Sequence, residues 1–358
     1  MPETRRTLNH LLGCLAGGAA GDALGAPVAS MSRAEIQNTH GPGGIASYAP
    51  AYGRIGAVTD STRMALFTAE GLVLSRVRGD GSPGEIPIFV YQACLRWLST
   101  QQAGDAARLV DRHGTCAMVD GMLITQQALY ERRAPCSISL TALRSGSMGT
   151  TADPVNDSSG CGGLIRIAPV GFFLPPGEVF DAGCEIAAIT HGHPTACLAA
   201  GCMAKIISEI SFGADLPGAA RTAVRILQTR PRHEACLAGI TAALKLGETT
   251  ADPPAEVDHA AAIAGLGEGR NAAEVLAIGL YSALAAGGDI DRGLRLAVNH
   301  SGDSGSTGPI TGSLLGALLG FEAIPETYLA DLELLPLIRE MAGDLFERMP
   351  QGACGGKS

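Results

Sequence analysis

The apolar positions of this chain recur at helical spacing along most of its length. Residues 7–24 read as a first helix, LNHLLGCLAGGAAGDAL, with small residues on one face. Residues 25–57 are broken by Pro27, Pro42, Gly43, Gly44, Pro50 and Gly53, which predicts loop with one short helix near 32–38. Met64, Leu66, Phe67, Ala69 and Leu72 predict a helix over 62–77, and a Gly- and Pro-rich turn follows at 78–87. Helices are expected near 86–103, carrying Tyr91, Leu95, Trp97 and Leu98, and near 115–131. The stretch 144–164 has no period, and a loop of that length in a packed domain is either functional or disordered. IRIAPVGFFL fits a short buried helix or a strand equally well. Further helices are predicted near 178–190, 194–211, 215–228, 233–247, 271–286, 290–299, 306–319 and 330–348, with an acidic surface loop at 248–258. Few segments alternate as strands do. The expectation is all-α: a compact single-domain helical bundle over 1–349 and a mobile tail at 350–358.

Two of these helices open alike. In NHSGDSGSTGPITGSLLGALL (299–319), Asp303, Ser304 and Ser306 stand where backbone N–H groups lack partners within the helix. In TDSTRMALFTAEGLVL (59–74), Thr59, Asp60 and Ser61 do the same. Brought together, such hydroxyls and carboxylates form a set of hard oxygen ligands suited to Mg²⁺.

Composition narrows the partners. Apolar residues make up 46% and charged residues 17%, enough for a large core, while aromatics are 4% and glycines number 48, which favours closely approaching helices. The net charge of −9 and the lack of a basic run argue against nucleic acid. No run of eighteen or so uninterrupted apolar residues argues for a membrane span, and Asp22 interrupts the apolar stretch 8–29. Ten cysteines without a CxxC pair read as reduced, buried small hydrophobes of a cytoplasmic protein.

TDSTRM, NDSSGCGGLIRIAPVG, THGHP and NHSGDSGSTG, in that order after GCLAGGAAGDALGAPV, resemble the ADP-ribosylglycohydrolase family. The likeness runs from about Leu8 to Leu319 and is strongest to a bacterial branch that includes immunity proteins against ADP-ribosylating toxins. The resemblance implies an all-helical fold, a two-magnesium site and hydrolysis of the bond joining ADP-ribose to a side chain or nucleobase. It implies that Asp157, Ser158, Ser159, Gly160, Cys161 and Gly162 wrap the diphosphate and that His191 contacts ADP-ribose. The partners implied are ADP-ribose, an ADP-ribosylated protein, or a toxin ADP-ribosyltransferase.

The metal positions depart from the family's pattern. Carried over one by one, its carboxylates fall on Asp60 and Asp303, but also on Ser61, Gly305 and Ala29, and Arg63 takes the place of a glutamine. Repulsion between close unit charges is on the order of 4 kcal/mol even at moderate screening. Two carboxylates are therefore too few for two divalent ions. The expectation is at most one Mg²⁺, held by Thr59, Asp60, Ser61, Asp303 and Ser306, or none, with Arg63 in its place at the substrate. Asp60 and Asp303 are the catalytic candidates. The resulting reading is a binding protein with impaired catalysis. The alternatives are a hydrolase working with a reduced metal site and a structural protein on the same fold.

Overall fold

The glycines of the first helix serve a close approach. Gly13, Gly17, Gly21 and Gly25 repeat every fourth residue, so they line one stripe of α1 (Leu8–Gly25). That stripe lies antiparallel on the helix Ser304–Leu319. A β-carbon added to Gly13, Gly17 or Gly21 would stand 2.5, 2.4 and 2.1 Å from the carbonyl oxygens of Gly316, Gly312 and Gly308. In the opposite direction, one added to Gly312 or Gly316 would stand 1.9 Å from the Gly17 or Gly13 oxygen. The helices touch backbone to backbone, and any side chain in the seam would force them apart.

The computed structural model describes residues 4–101, 103–249 and 257–350. The predicted tail 350–358 lies outside them beyond its first residue, as does most of the acidic loop 248–258. The helices after α1 are α2 (Arg33–His40), α3 (Asp60–Arg78), α4 (Ile86–Gln101), α5 (Ala103–His113), α6 (Thr115–Val119), α7 (Ser137–Ser145), α8 (Ala168–Phe173) and α9 (Val179–Ala188). There follow α10 (Pro194–Ser211), α11 (Leu216–Leu227), α12 (Glu234–Thr249), α13 (His259–Leu266), α14 (Ala272–Ala285), α15 (Ile290–Val298), α16 (Ser304–Leu319), α17 (Glu326–Leu329) and α18 (Leu335–Arg348). Among the described residues there is no strand, only an isolated bridge between Ala51 and Arg54. The all-α expectation holds, and IRIAPVGFFL resolves as helix α8.

The α1–α16 pair is the axis of the bundle, with α14, α15, α18 and α10 packed around it. Leu8–Val28 is the one stretch among the described residues long and apolar enough to cross a membrane, and 83% of its most apolar window is buried inside the fold.

One predicted helix is not continuous. Over 115–131 the chain forms α6 and then two 3₁₀ turns, Leu123–Thr125 and Gln127–Tyr130. The cause is tertiary. A buried ion pair, Glu70–Arg96 at 2.8 Å, claims backbone groups that a helix would need for itself: Leu123 N–H donates to Glu70 at 2.9 Å and Arg96 donates to the Ala117 carbonyl at 3.0 Å. Gly121 turns between them at φ +111°, a conformation that favours glycine. Helices α5, α7, α13 and α17 had no counterpart among the predicted elements.

Candidate functional site

Both polar openings sit on the last turns of α1. Asp22, fully buried on that helix, accepts from the backbone and hydroxyl of Thr59 at 2.8 and 2.7 Å and from those of Thr62 at 3.3 and 2.6 Å. It is an acceptor that pins the start of α3. Burial raises its pKa, and the four donors oppose that rise. One helical turn further along α1, Gly25 rests against the Ser304 carbonyl at the start of α16.

At the first opening, Thr59 caps α3 by accepting from Ser61 N–H at 3.1 Å, while its hydroxyl donates to Asp22. Asp60 is 3% exposed. Its Oδ1 accepts from the Trp97 indole at 3.1 Å, and its Oδ2 is enclosed without a partner. Burial pushes its carboxyl up to about 6, against the indole donor and the Arg63 charge. Arg63 is 0% exposed. Its guanidinium donates to the carbonyls of Glu131 and Ala128, so it fastens the 127–131 turn to α3 instead of facing a ligand. Ser61, half-buried, is the member of this opening with the most access to solvent.

At the second opening, Asp303 N–H donates to the Glu268 carbonyl at 2.9 Å. Its carboxylate accepts from the Ser306 hydroxyl at 2.7 Å and from the Cys161 thiol at 3.6 Å; the same thiol lies 3.2 Å from Ser306 Oγ. Burial and the Asp303 charge push the thiol up, which keeps it protonated as a donor. His300 and Asn299 hold the turn before Asp303. His300 bridges the Ser301 carbonyl and the Thr307 hydroxyl, and Asn299 also reaches across to both backbone groups of Ile45.

The loop 156–163 ties these openings to the rest of the bundle. Ser158 O accepts from His193 N–H at the start of α10, Ser159 O accepts from Ala272 N–H at the start of α14, and Cys161 reaches Asp303 and Ser306 at the start of α16. Three helix N-termini, each the positive end of its dipole, thus meet one glycine- and serine-rich loop. Ser158 Oγ accepts from Gly160 N–H at 3.3 Å, and Asp157 is exposed. His191 is buried under the loop. Its Nδ1 lies 2.9 Å from the Thr190 hydroxyl and its Nε2 3.8 Å from the Cys136 thiol. A β-carbon on Gly162 would stand 2.6 Å from the imidazole Cε1, so glycine is needed for the loop to lie on the ring. Burial, with help from the Arg166 charge, lowers the His191 pKa to about 3, and the ring is neutral at ordinary pH.

The donor set does not fit a pair of divalent ions. Asp303 is the one carboxylate with solvent access at the openings. Asp60 is turned to Trp97, and the Thr59 hydroxyl is spent on Asp22. Ala29 and Gly305 bring no side-chain oxygen. Among the described residues no group of three His, Cys, Asp or Glu side chains is arranged to hold a metal ion.

Sequence reasoning missed four residues that organise the site. Trp97 fixes Asp60. Glu333, 4% exposed, accepts from Val58 N–H at 3.0 Å and from Arg133 at 2.6 Å. The Arg133 carbonyl in turn receives Asp60 N–H at 3.0 Å. Cys136 abuts His191. Trp97 is the sole tryptophan, which was a signal available in composition; the others carried none.

The described residues thus form an all-helical bundle with a serine- and glycine-rich loop laid over several helix N-termini. The sequence matches the ADP-ribosylglycohydrolase family over residues 2–353, and the chain belongs to that family. A solved structure described as an ADP-ribosylglycohydrolase-related protein complex is similar over 96% of this chain and 99% of that one, at 25% identity and a TM-score of 0.64. None of the curated protein sequences matches this chain.

Proposed function

We propose that this protein binds ADP-ribose, or the ADP-ribosyl group of a modified protein, and that its hydrolytic turnover is impaired. One observation carries the reading. The loop 156–163 keeps its seat on three helix N-termini, while Ala29, Ser61 and Gly305 leave the neighbouring metal positions without carboxylates. A diphosphate suits the loop, where backbone N–H groups and hydroxyls of Ser158 and Ser159 offer donors and the helix dipoles favour negative charge. Asp157, Gly160, Cys161 and Gly162 complete the loop, with neutral His191 as its floor. An ADP-ribosylating toxin, or the protein it has modified, is the partner class that an immunity role requires.

The test is calorimetric titration of ADP-ribose in EDTA and again with Mg²⁺. Binding of equal affinity in both, with no ADP-ribose released from an ADP-ribosylated protein, is the expected result. Absence of binding in both, or Mg²⁺-dependent release at ordinary enzyme rates, contradicts it.

A second reading rests on the enclosed, unpartnered Asp60 Oδ2. That oxygen is the kind of group a single cation would satisfy, with Asp303, Ser61 and Ser306 as the remaining oxygens and Thr59 joining only if its hydroxyl leaves Asp22. It predicts that Mg²⁺ alone gives a binding isotherm at millimolar concentration, and that Asp60→Asn removes it.

A further inference from the structure

A cleft of about 440 Å³ opens between α2, the turn 41–44, α13 and the start of α15. That volume is in the range of small-molecule sites. None of its lining residues belongs to the loop 156–163. Its floor is apolar, with Ile36 and Ile263 buried beneath it. Asn299 fastens the two sides by donating to the Ile45 and Arg295 carbonyls, at 2.9 and 2.8 Å.

Arg33, Arg292 and Arg295 line the cleft beside Asp289 and Asp291. Neither carboxylate is paired with Arg33 or with the Arg292 guanidinium. Asp291 accepts from the Tyr328 hydroxyl at 2.7 Å and pairs with Arg295 at 3.4 Å. Asp289 caps α15 by accepting from Arg292 N–H at 3.2 Å, and its other oxygen has no partner among the described residues. Arg292 reaches a neutral group instead: its Nη2 stands 3.4 Å from His259 Nε2. A guanidinium only donates, so Nε2 accepts, and Nδ1 carries the proton toward the Tyr281 hydroxyl at 2.8 Å. Burial and the Arg292 charge lower the His259 pKa against the pull of Asp258. Arg33 is anchored through its backbone, whose N–H donates to the Ser301 hydroxyl at 3.0 Å. In a chain of net charge −9, one cleft thus gathers two exposed arginines that form no ion pair among the described residues.

We infer that this cleft binds a small phosphorylated sugar, with Arg33 and Arg292 on the phosphate and Asp289 on a hydroxyl. A phosphate monoester carries about 1.5 to 2 negative charges at pH 7, so it matches two unpaired cations where a carboxylate matches one. Planar guanidinium forks suit its oxygens. The unpartnered Asp289 oxygen is an acceptor that a sugar hydroxyl satisfies, and the apolar floor receives the carbon skeleton. The inference is independent of ADP-ribose binding at the loop.

The test is calorimetric titration of the full chain with ribose 5-phosphate, inorganic phosphate and ribose. The wild type is expected to bind ribose 5-phosphate at submillimolar concentration, inorganic phosphate more weakly by about threefold or more, and ribose not measurably. Arg33→Gln and Arg292→Gln, both at exposed positions, each weaken ribose 5-phosphate by about tenfold and keep the urea midpoint of the wild type. Gly162→Ala, which disturbs the loop over His191, leaves that affinity unchanged. Ribose 5-phosphate binding that survives both arginine variants overturns the inference, and so does its loss in a folded Gly162→Ala protein. Inorganic phosphate that binds as tightly as the sugar phosphate, or a wild type that binds none of the three at millimolar concentration, overturns it equally.

Discussion

Gly305 faces Ala29 across the junction of α1 and α16: a β-carbon at Gly305 would stand 3.4 Å from that of Ala29 and 3.6 Å from Asp303 Oδ1. Two positions where the family resemblance expects carboxylates are therefore neighbours, and neither carries one. The contact is ordinary van der Waals distance, so a side chain fits there. Putting Asp at 305 and 61 and Glu at 29 restores three anionic groups beside Asp303. The triple variant is expected to bind Mn²⁺ at least about tenfold more tightly than the wild type, read by electron paramagnetic resonance or calorimetry. Unchanged ion affinity in a folded triple variant would show that charge deficit is not what bars the ions.

The α1–α16 seam predicts an intolerance that composition alone would not suggest. Gly312→Ala places a methyl carbon 1.9 Å from the Gly17 carbonyl oxygen, where only backbone can yield. The expected loss is about 3 kcal/mol of unfolding free energy, at the upper end of overpacking costs. Gly343→Ala, at a half-buried position of α18 where an added β-carbon meets nothing within 4 Å, should be neutral or mildly stabilising. Urea denaturation of the pair provides the check, and similar stability of the two variants would contradict the packing account.

Asp60 titrates near 6 in the folded chain against an ordinary 3.8. The folded state holds that proton more tightly than the unfolded chain. Its contribution to stability is complete below the unfolded value and is lost as pH rises through about 6. Asp60→Asn keeps an oxygen for Trp97 and removes the charge. It should stabilise the protein at pH 8 by about 2 kcal/mol and leave it little changed at pH 4. A variant less stable than wild type at pH 8 would mean that ionised Asp60 has a partner in the folded state.

His191 acts in the opposite sense. Its pKa falls to about 3 from 6.5, so the unfolded chain takes up the proton first. Stability is complete above pH 6.5 and is lost as pH falls toward 3. His191→Gln cannot charge, and it should retain roughly 2 to 3 kcal/mol more of its neutral-pH stability at pH 4.5 than the wild type does. Parallel acid-denaturation curves for the two proteins would contradict this.

The helical architecture was legible because its signals are local. The four-residue repeat of small residues in α1, the hydroxyl and acid cap of α3 and the Pro at the start of α10 each mark an element from its own sequence. The break at Gly121 was not legible, since it follows from Glu70 and Arg96, which reach the 117–123 backbone from two other helices. The site divides in the same way. The stretch 144–164 stood out by its lack of period, whereas the orientation of Arg63 toward the carbonyls of Glu131 and Ala128 depends on a turn remote in sequence. Trp97 and Glu333 act on Asp60 and its flank across 37 and 275 positions, distances at which spacing holds no information.

The most direct measurement is the affinity for ADP-ribose with and without divalent ion. The account predicts the same dissociation constant in EDTA and in millimolar Mg²⁺, with no hydrolysis of an ADP-ribosylated protein over hours. Binding that appears only when Mg²⁺ is added, accompanied by release of free ADP-ribose, would contradict it.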